Sequence, residues 1–311
     1  MSKLQFRLFG KFAASDGRDP LKGLEAAKDQ ELLSYLLIHR TQHHSREALA
    51  GLLWSDNSTE RSKKYLRQAL WHLQAVLDSG TDSGQKIVLV EHDWLKLNPA
   101  NRPWCDVAEF EDAFARAEGT AGSQLAEDVA QALKQAVDLY RDDLLAGWYH
   151  DWILFERERL QNKYLIMLDK LLRYSSQHQE YEAGQSYGET ILRYDPAQER
   201  AHRQLMNLYY TAGNRTAALR QYDRCVTALK QELGVAPERR TTNLYEKIKS
   251  GQAFDSKAAE THLSALPATT SQPDIVRHLK VLHRLLGAVQ RRIQRDITAI
   301  EASKPNRKLV D

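Results

Sequence analysis

Arg61-Ser-Lys-Lys-Tyr-Leu-Arg-Gln-Ala-Leu-Trp-His-Leu-Gln-Ala-Val-Leu77 is the stretch whose reading decides the fold. Leu66, Leu70, Leu73 and Leu77 recur at offsets of four, three and four, so at about 100° per residue they form one apolar stripe on a helix. Arg61, Lys64, Gln68, Trp71 and His72 fall on the opposite side, Arg67 lies on a flank, and no acid interrupts the stretch. Cationic and amide side chains on an exposed helix face suit phosphates and base edges. An ordinary solvated surface helix has the same pattern, so the neighbouring segments decide between the two.

Upstream, Leu4-Gln-Phe-Arg-Leu-Phe9 alternates with period two and predicts a strand, and Gly10, Asp16-Gly17 and Pro20 supply turns after it. Across residues 24–39 the period changes, with Leu32, Leu33, Leu36 and Leu37 at helical spacing. Ser45-Arg-Glu-Ala-Leu-Ala-Gly-Leu-Leu-Trp54 predicts a second helix with Ser45 as its N-cap, and Ser58 or Thr59 can cap the cationic helix. Downstream, Ile87-Val-Leu-Val90 and Trp94-Leu-Lys-Leu97, joined at Glu91-His-Asp93, predict a hairpin.

Strand, helix, helix, basic helix and hairpin is the order of a winged helix-turn-helix. The segments Phe6-Arg-Leu-Phe-Gly10, Leu32-Leu33-Ser-Tyr-Leu36-Leu37, Ser45-Arg-Glu-Ala-Leu49 to Leu53-Trp54, and Leu66 to Leu77 resemble the OmpR-type DNA-binding domain. They resemble more closely the version that opens the SARP family of bacterial transcriptional activators. The resemblance implies that residues 60–77 enter the major groove and that the hairpin is the wing beside them. On that reading Arg61, Lys63, Lys64 and Arg67 supply phosphate attraction or guanine contacts, Gln68 reads adenine, and His72 serves either purpose. Trp71 packs on a thymine methyl or sugar edge or, the alternative favoured by its place beside the stripe, against the wing. Ser45 and Arg46 offer hydroxyl, guanidinium and backbone N–H groups to a phosphate. His92 and Lys96 are the candidate wing contacts, weakened by a departure from the family, since Asp93-Trp94 stands where Gly-Tyr is usual.

From Asp106-Val-Ala-Glu-Phe110 to about residue 251 the texture is helical without strands. One helix is expected to stop at Gly147 of Tyr140-Arg-Asp-Asp-Leu-Leu-Ala-Gly147, and another long apolar repeat runs from Trp152 to Tyr174. Ala183-Gly184 aligns with Ala217-Ala218 at an offset of 34, the length of a tetratricopeptide helix pair. Leu229-Lys-Gln-Glu-Leu-Gly-Val-Ala-Pro237, Leu139-Tyr-Arg-Asp-Asp-Leu-Leu-Ala-Gly147 and Glu156-Arg-Glu-Arg-Leu160 resemble the bacterial transcriptional activator domain, the module that follows the winged helix in SARP proteins. That resemblance implies paired protomers on promoter direct repeats and contact with RNA polymerase holoenzyme. Trp148, Tyr149, Trp152, Tyr209 and Tyr210 read as packing residues, although a concave stack of helix pairs can also hold a peptide or a small effector.

Residues 251–273 are rich in Ala, Ser, Thr and Gln and read as a linker. In residues 274–301, Leu279, Leu282, Leu286, Val289 and Ile293 keep a four-three seam suited to oligomerisation. Nine Lys or Arg residues against four acids between Asp274 and Asp311 make this end basic.

The expected class is therefore mainly α with a small β component. A winged helix-turn-helix occupies residues 1–100, a tetratricopeptide-like helical domain 101–250, and an amphipathic helix 274–301. For 311 residues with 42% hydrophobic content, two or three domains are the natural division. A net charge of +3 says little, because cations cluster locally. Two isolated cysteines, Cys105 and Cys225, suit a reducing cytoplasm, and neither a signal peptide nor a membrane span is expected. His43-His44 and the scattered carboxylates read as solvent-exposed loop residues with no nucleophile or metal triad, so no enzyme, cofactor or metal is expected. The expected function is a sequence-specific, DNA-binding activator that acts as a homo-oligomer. The alternative is a tetratricopeptide-like scaffold or effector-binding regulator with a degenerate winged helix, and salt-dependent, sequence-selective DNA binding separates the two.

Overall fold

The computed structural model describes residues 4–17, 19–79 and 86–251, which lie in one compact unit. The linker and the seam from Leu279 to Ile293 lie outside the described residues.

The expected first strand forms as β1 (Leu4–Arg7), with Leu4 and Phe6 fully buried and the alternate residues exposed. It pairs antiparallel with β2 (Ala13–Asp16), which pairs with β3 (Asp19–Pro20). α1 (Ala27–Ile38) buries Leu32, Leu33, Leu36 and Leu37. The two-residue strand β4 (His44–Ser45) leads into α2 (Arg46–Leu53), where the Ser45 hydroxyl accepts the Ala48 N–H at 3.5 Å as the expected N-cap. His44 is buried rather than exposed: its Nε2 lies 3.1 Å from the His39 carbonyl and its ring meets Tyr35 edge-on. Strand pairing with the wing draws it inward, which the loop reading of His43-His44 could not anticipate.

α3 (Thr59–Ser79) is the cationic helix. Leu66, Leu70, Leu73 and Leu77 are at most 3% exposed, and burying four leucines contributes roughly 1.5–3 kcal/mol each. β5 (Val88–Glu91) and β6 (Trp94–Leu97) form the hairpin in register Val88 to Leu97, with β4 on the outer edge of β6. The chain then returns to the first sheet, where β7 (Trp104–Cys105) lies parallel to β1.

The rest is helical: α4 (Asp106–Arg116), α5 (Glu127–Leu139), α6 (Asp151–Gln177), α7 (Tyr181–Tyr194), α8 (Glu199–Thr211), α9 (Arg215–Leu233) and α10 (Arg239–Ser250). The 34-residue offset places Gly184 on α7 and Ala218 on α9, both buried at helix crossings. Gly188 is needed where α7 meets α8, since a Cβ there would lie 2.5 Å from Leu205 Cδ2. One boundary differs from expectation. α5 stops at Leu139, and residues 140–150 form a loop, because the Leu145 and Ala146 N–H groups donate to the carbonyls of Leu8 (2.8 Å) and Gly10 (2.7 Å). Backbone pairing with the end of β1 thus replaces the last helical turns expected before Gly147.

The winged-helix and helical halves are locked together. Trp152 Nε1 of α6 donates to Glu31 of α1 at 3.1 Å, and Arg40, just beyond α1, binds Glu111 of α4 at 2.8 Å. Arg159 and Lys163 of α6 bind the same Glu111 carboxylate. Burial alone would push Glu111 up, but the ion pairs with Lys163 and Arg159 win and take its carboxyl from 4.5 to about 2. A depressed folded-state value means stabilisation that is complete above pH 4.5 and is lost as pH falls towards 2. The linkage amounts to about 3 kcal/mol. Acid titration of the unfolding free energy should show that loss in wild type and a flatter profile in Glu111→Gln.

Candidate nucleic-acid interface

α3 is amphipathic along its length, so the packing that buries its leucines turns the intervening polar residues outward. Arg61, Lys63, Lys64, Arg67, Gln68 and Trp71 are all exposed. Lys64, Arg67, Gln68, Trp71 and His72 line one open depression, which the helical half of the molecule leaves accessible. Trp71 is 73% exposed and does not pack against the wing, correcting the favoured sequence reading. A ring at its angular position, opposite the leucine stripe, points away from the protein.

The candidate residues are not equally available. Lys64, Arg67 and Gln68 stand on the exposed crest. Lys63 pairs with Glu47 of α2 at 2.7 Å, so part of its charge is already neutralised. His72 is partly buried, and its Nδ1 is hydrogen-bonded to the buried carboxylate of Asp29 on α1. It therefore acts first as a strut between α1 and α3, although its ring still borders the depression. This constraint escaped the sequence because Asp29 lies 43 residues away on another helix.

The wing is pinned to the start of α2. The Arg46 backbone N–H donates to the Asp93 carbonyl at 2.9 Å, and its Nη1 donates to the His92 carbonyl at 3.1 Å. The backbone N–H expected to meet a phosphate is thus already used, and Arg46 fixes the distance between α2 and the wing tip. Ser45 has its hydroxyl oxygen on the α2 cap. The two-residue turn places His92 at a φ of 40° with its side chain 97% exposed. Lys96 is partly buried and pairs with Glu91 at 2.8 Å. Trp94 and Val90 add exposed apolar surface to the wing. Ser45, Arg46, His92 and Lys96 therefore lie outside the α3 depression, whose cationic and amide groups come from consecutive turns of one helix.

Among the other aromatic candidates, Trp152 is buried as expected and Trp148, Tyr209 and Tyr210 are partly buried. Tyr149 departs from the packing role at 69% exposed. Among the described residues no group of three or more His, Cys, Asp or Glu is placed to hold a metal ion, and no helix is long and apolar enough to cross a membrane.

Residues 105–249 match the bacterial transcriptional activator domain family. The transcriptional regulatory protein MoaR1 of Mycobacterium tuberculosis is 25% identical over 228 residues, spanning 72% of this chain and 73% of MoaR1. The regulatory protein AfsR of Streptomyces coelicolor is 23% identical over 278 residues, 86% of this chain but 27% of AfsR, so the chain spans about a quarter of that larger protein. Among solved structures, Mycobacterium tuberculosis EmbR in complex with a low-affinity phosphopeptide superposes with a TM-score of 0.63 at 21% identity, covering 83% of this chain and 68% of that one. The architecture, mainly helical with small sheets, is shared with EmbR.

Proposed function

We propose that this chain, a SARP-type bacterial transcriptional regulator with a bacterial transcriptional activator domain at residues 105–249, binds double-stranded DNA by setting α3 into the major groove. The observation that carries the reading is the exposed crest of Lys64, Arg67, Gln68 and Trp71 on a helix whose opposite side is buried leucine. The groove admits a helix of this kind, Arg can bridge guanine O6 and N7, and Gln can bridge adenine N6 and N7. Trp71, facing outward, suits a thymine methyl or a sugar edge.

Residues 1–100 act as the DNA-binding module and residues 101–250 as the activator module, which contacts RNA polymerase holoenzyme and supports a dimer on direct repeats. The seam of Leu279, Leu282, Leu286, Val289 and Ile293, outside the described residues, contributes to that association. The site of action is the cytoplasm. What favours this over a tetratricopeptide-like scaffold is that the crest is presented to solvent rather than used in packing, and that the relatives carry regulator names.

Selection of binding sites from random duplexes tests the reading. Wild type is expected to enrich one direct-repeat sequence. Gln68→Ala is expected to relax preference at one base pair per half-site, with discrimination there falling about 5- to 100-fold. Recovery of unenriched sequence by wild type would remove the assignment in favour of a scaffold.

A further inference from the structure

His44 and the rings around it stand where three elements meet, and the DNA-binding reading leaves them without a part. His44, on β4, pairs in register with Leu95 of the wing. Its Nε2–H donates at 3.1 Å to the carbonyl of His39, the residue that caps the end of α1. The two imidazole centroids lie 6.0 Å apart, and the Tyr35 ring on α1 touches both, at 4.4 Å from His39 and 5.3 Å from His44. From the helical half, Trp152 of α6 meets the same Tyr35 ring edge-on at 5.2 Å, and Glu156, one turn further on, lies 3.9 Å from His39 Nε2. The cluster thus ties the wing and α1 to the start of α6.

Both imidazoles are held where the neutral form is favoured. His44 is 7% exposed, and no carboxylate pairs with it among the described residues; the charged neighbour is His43. Burial pushes His44 below 6.5, against the pull of the His39 carbonyl. Burial also leads at His39, where His44 and Arg159 of α6 add to it and Glu156 and Glu111 oppose it, and the balance again lies below 6.5. A histidine whose folded-state value is depressed contributes stability that is complete above 6.5 and is lost as pH falls towards that depressed value.

We propose that Tyr35, His39, His44 and Trp152 form an acid-sensitive latch between the winged-helix and helical halves. With both imidazoles neutral, the rings pack and hold the wing and α1 against α6. Protonating both places two cations 6.0 Å apart, with Glu156 alone paired to them among the described residues, and the junction opens locally. His150, at the start of α6, works in the opposite direction, because its Nδ1 lies 3.4 Å from the buried Glu31 carboxylate and gains an ion pair when charged. Glu111 is silent in this range, since its carboxyl stays ionised down to about 2.

Hydrogen–deuterium exchange of the full chain tests the latch at about pH 7.5 and about pH 5.5, with labelling times scaled for the intrinsic rate of exchange. Peptides covering residues 35–45 and 150–160 are expected to exchange at least about fivefold faster in acid, while α7, which carries no histidine, is unchanged. His39→Gln combined with His44→Gln keeps a neutral donor at each position and should cut the acid response of those peptides below about twofold, leaving His150 to favour closure. His44→Gln alone should remove the larger part of the response, because that position has no paired carboxylate, and it serves if the double variant does not fold. Thermal unfolding at the higher pH confirms that each variant is folded. Equal exchange at both pH values in wild type, an acid response as large in α7, or an undiminished response in a folded variant overturns the inference. None of these readouts depends on DNA.

Discussion

Lys64→Ala combined with Arg67→Ala is expected to lower affinity for any duplex about 100-fold near physiological salt and to reduce the slope of log K against log salt by about 2. The reasoning is electrostatic. Each side chain stands exposed on the crest of α3 with no ion-pair partner among the described residues, and each phosphate it neutralises releases about one counterion. Lys63→Ala is the internal control. Its ammonium pairs with Glu47 at 2.7 Å, so its loss should move the slope by less than either crest residue. Fluorescence anisotropy at several salt concentrations measures all three variants. A double variant with the wild-type slope would place the phosphate contacts elsewhere on the protein.

Asp106→Ala is expected to cost about 2–4 kcal/mol of stability without touching the DNA-binding crest. Asp106 opens α4 and is 3% exposed, yet its carboxylate accepts the Leu8 N–H at 2.9 Å, the Phe9 N–H at 3.0 Å and the Val107 N–H at 2.8 Å. Burial pushes its carboxyl up, and these donors pull it back down without cancelling the shift. Alanine removes the buried charge but strands two backbone N–H groups at the end of β1, where parallel β7 also ends. For a chain of this size the midpoint of thermal unfolding should fall by about 10 °C. Asp106→Asn keeps one acceptor oxygen and should recover part of the loss, which separates hydrogen bonding from charge.

Much of this was legible in the sequence wherever a segment's own periodicity decides its structure. The four leucines of α3, the alternation of Leu4 and Phe6, the Ser45 cap and the small residues Gly184 and Ala218 each report a local rule, and the helices and strands lie where those rules put them. What stayed hidden depends on long-range partners. The loop at residues 140–150 looked helical until the carbonyls of Leu8 and Gly10 claimed its N–H groups. His44 looked like a loop residue because the wing strand that draws it inward lies about 50 residues downstream. The crest was readable as a cationic helix face, but its ranking was not: Glu47 and Asp29, which partly occupy Lys63 and His72, come from other helices. Trp71 was misread for a different, local reason: its apolar character suggested packing, whereas its angular position opposite the leucines gives exposure.

The central claim is that the outward face of α3 reads the major-groove edges of bases. Replacing the purines of a selected site one at a time with 7-deaza analogues tests it most directly, because the N7 acceptor removed lies only in that groove. Discrete positions in each half-site, each losing about fivefold or more in affinity for wild type and losing little for Arg67→Ala or Gln68→Ala, are the expected result. Wild-type affinity that is indifferent to every such replacement, in a complex that still forms, would contradict it.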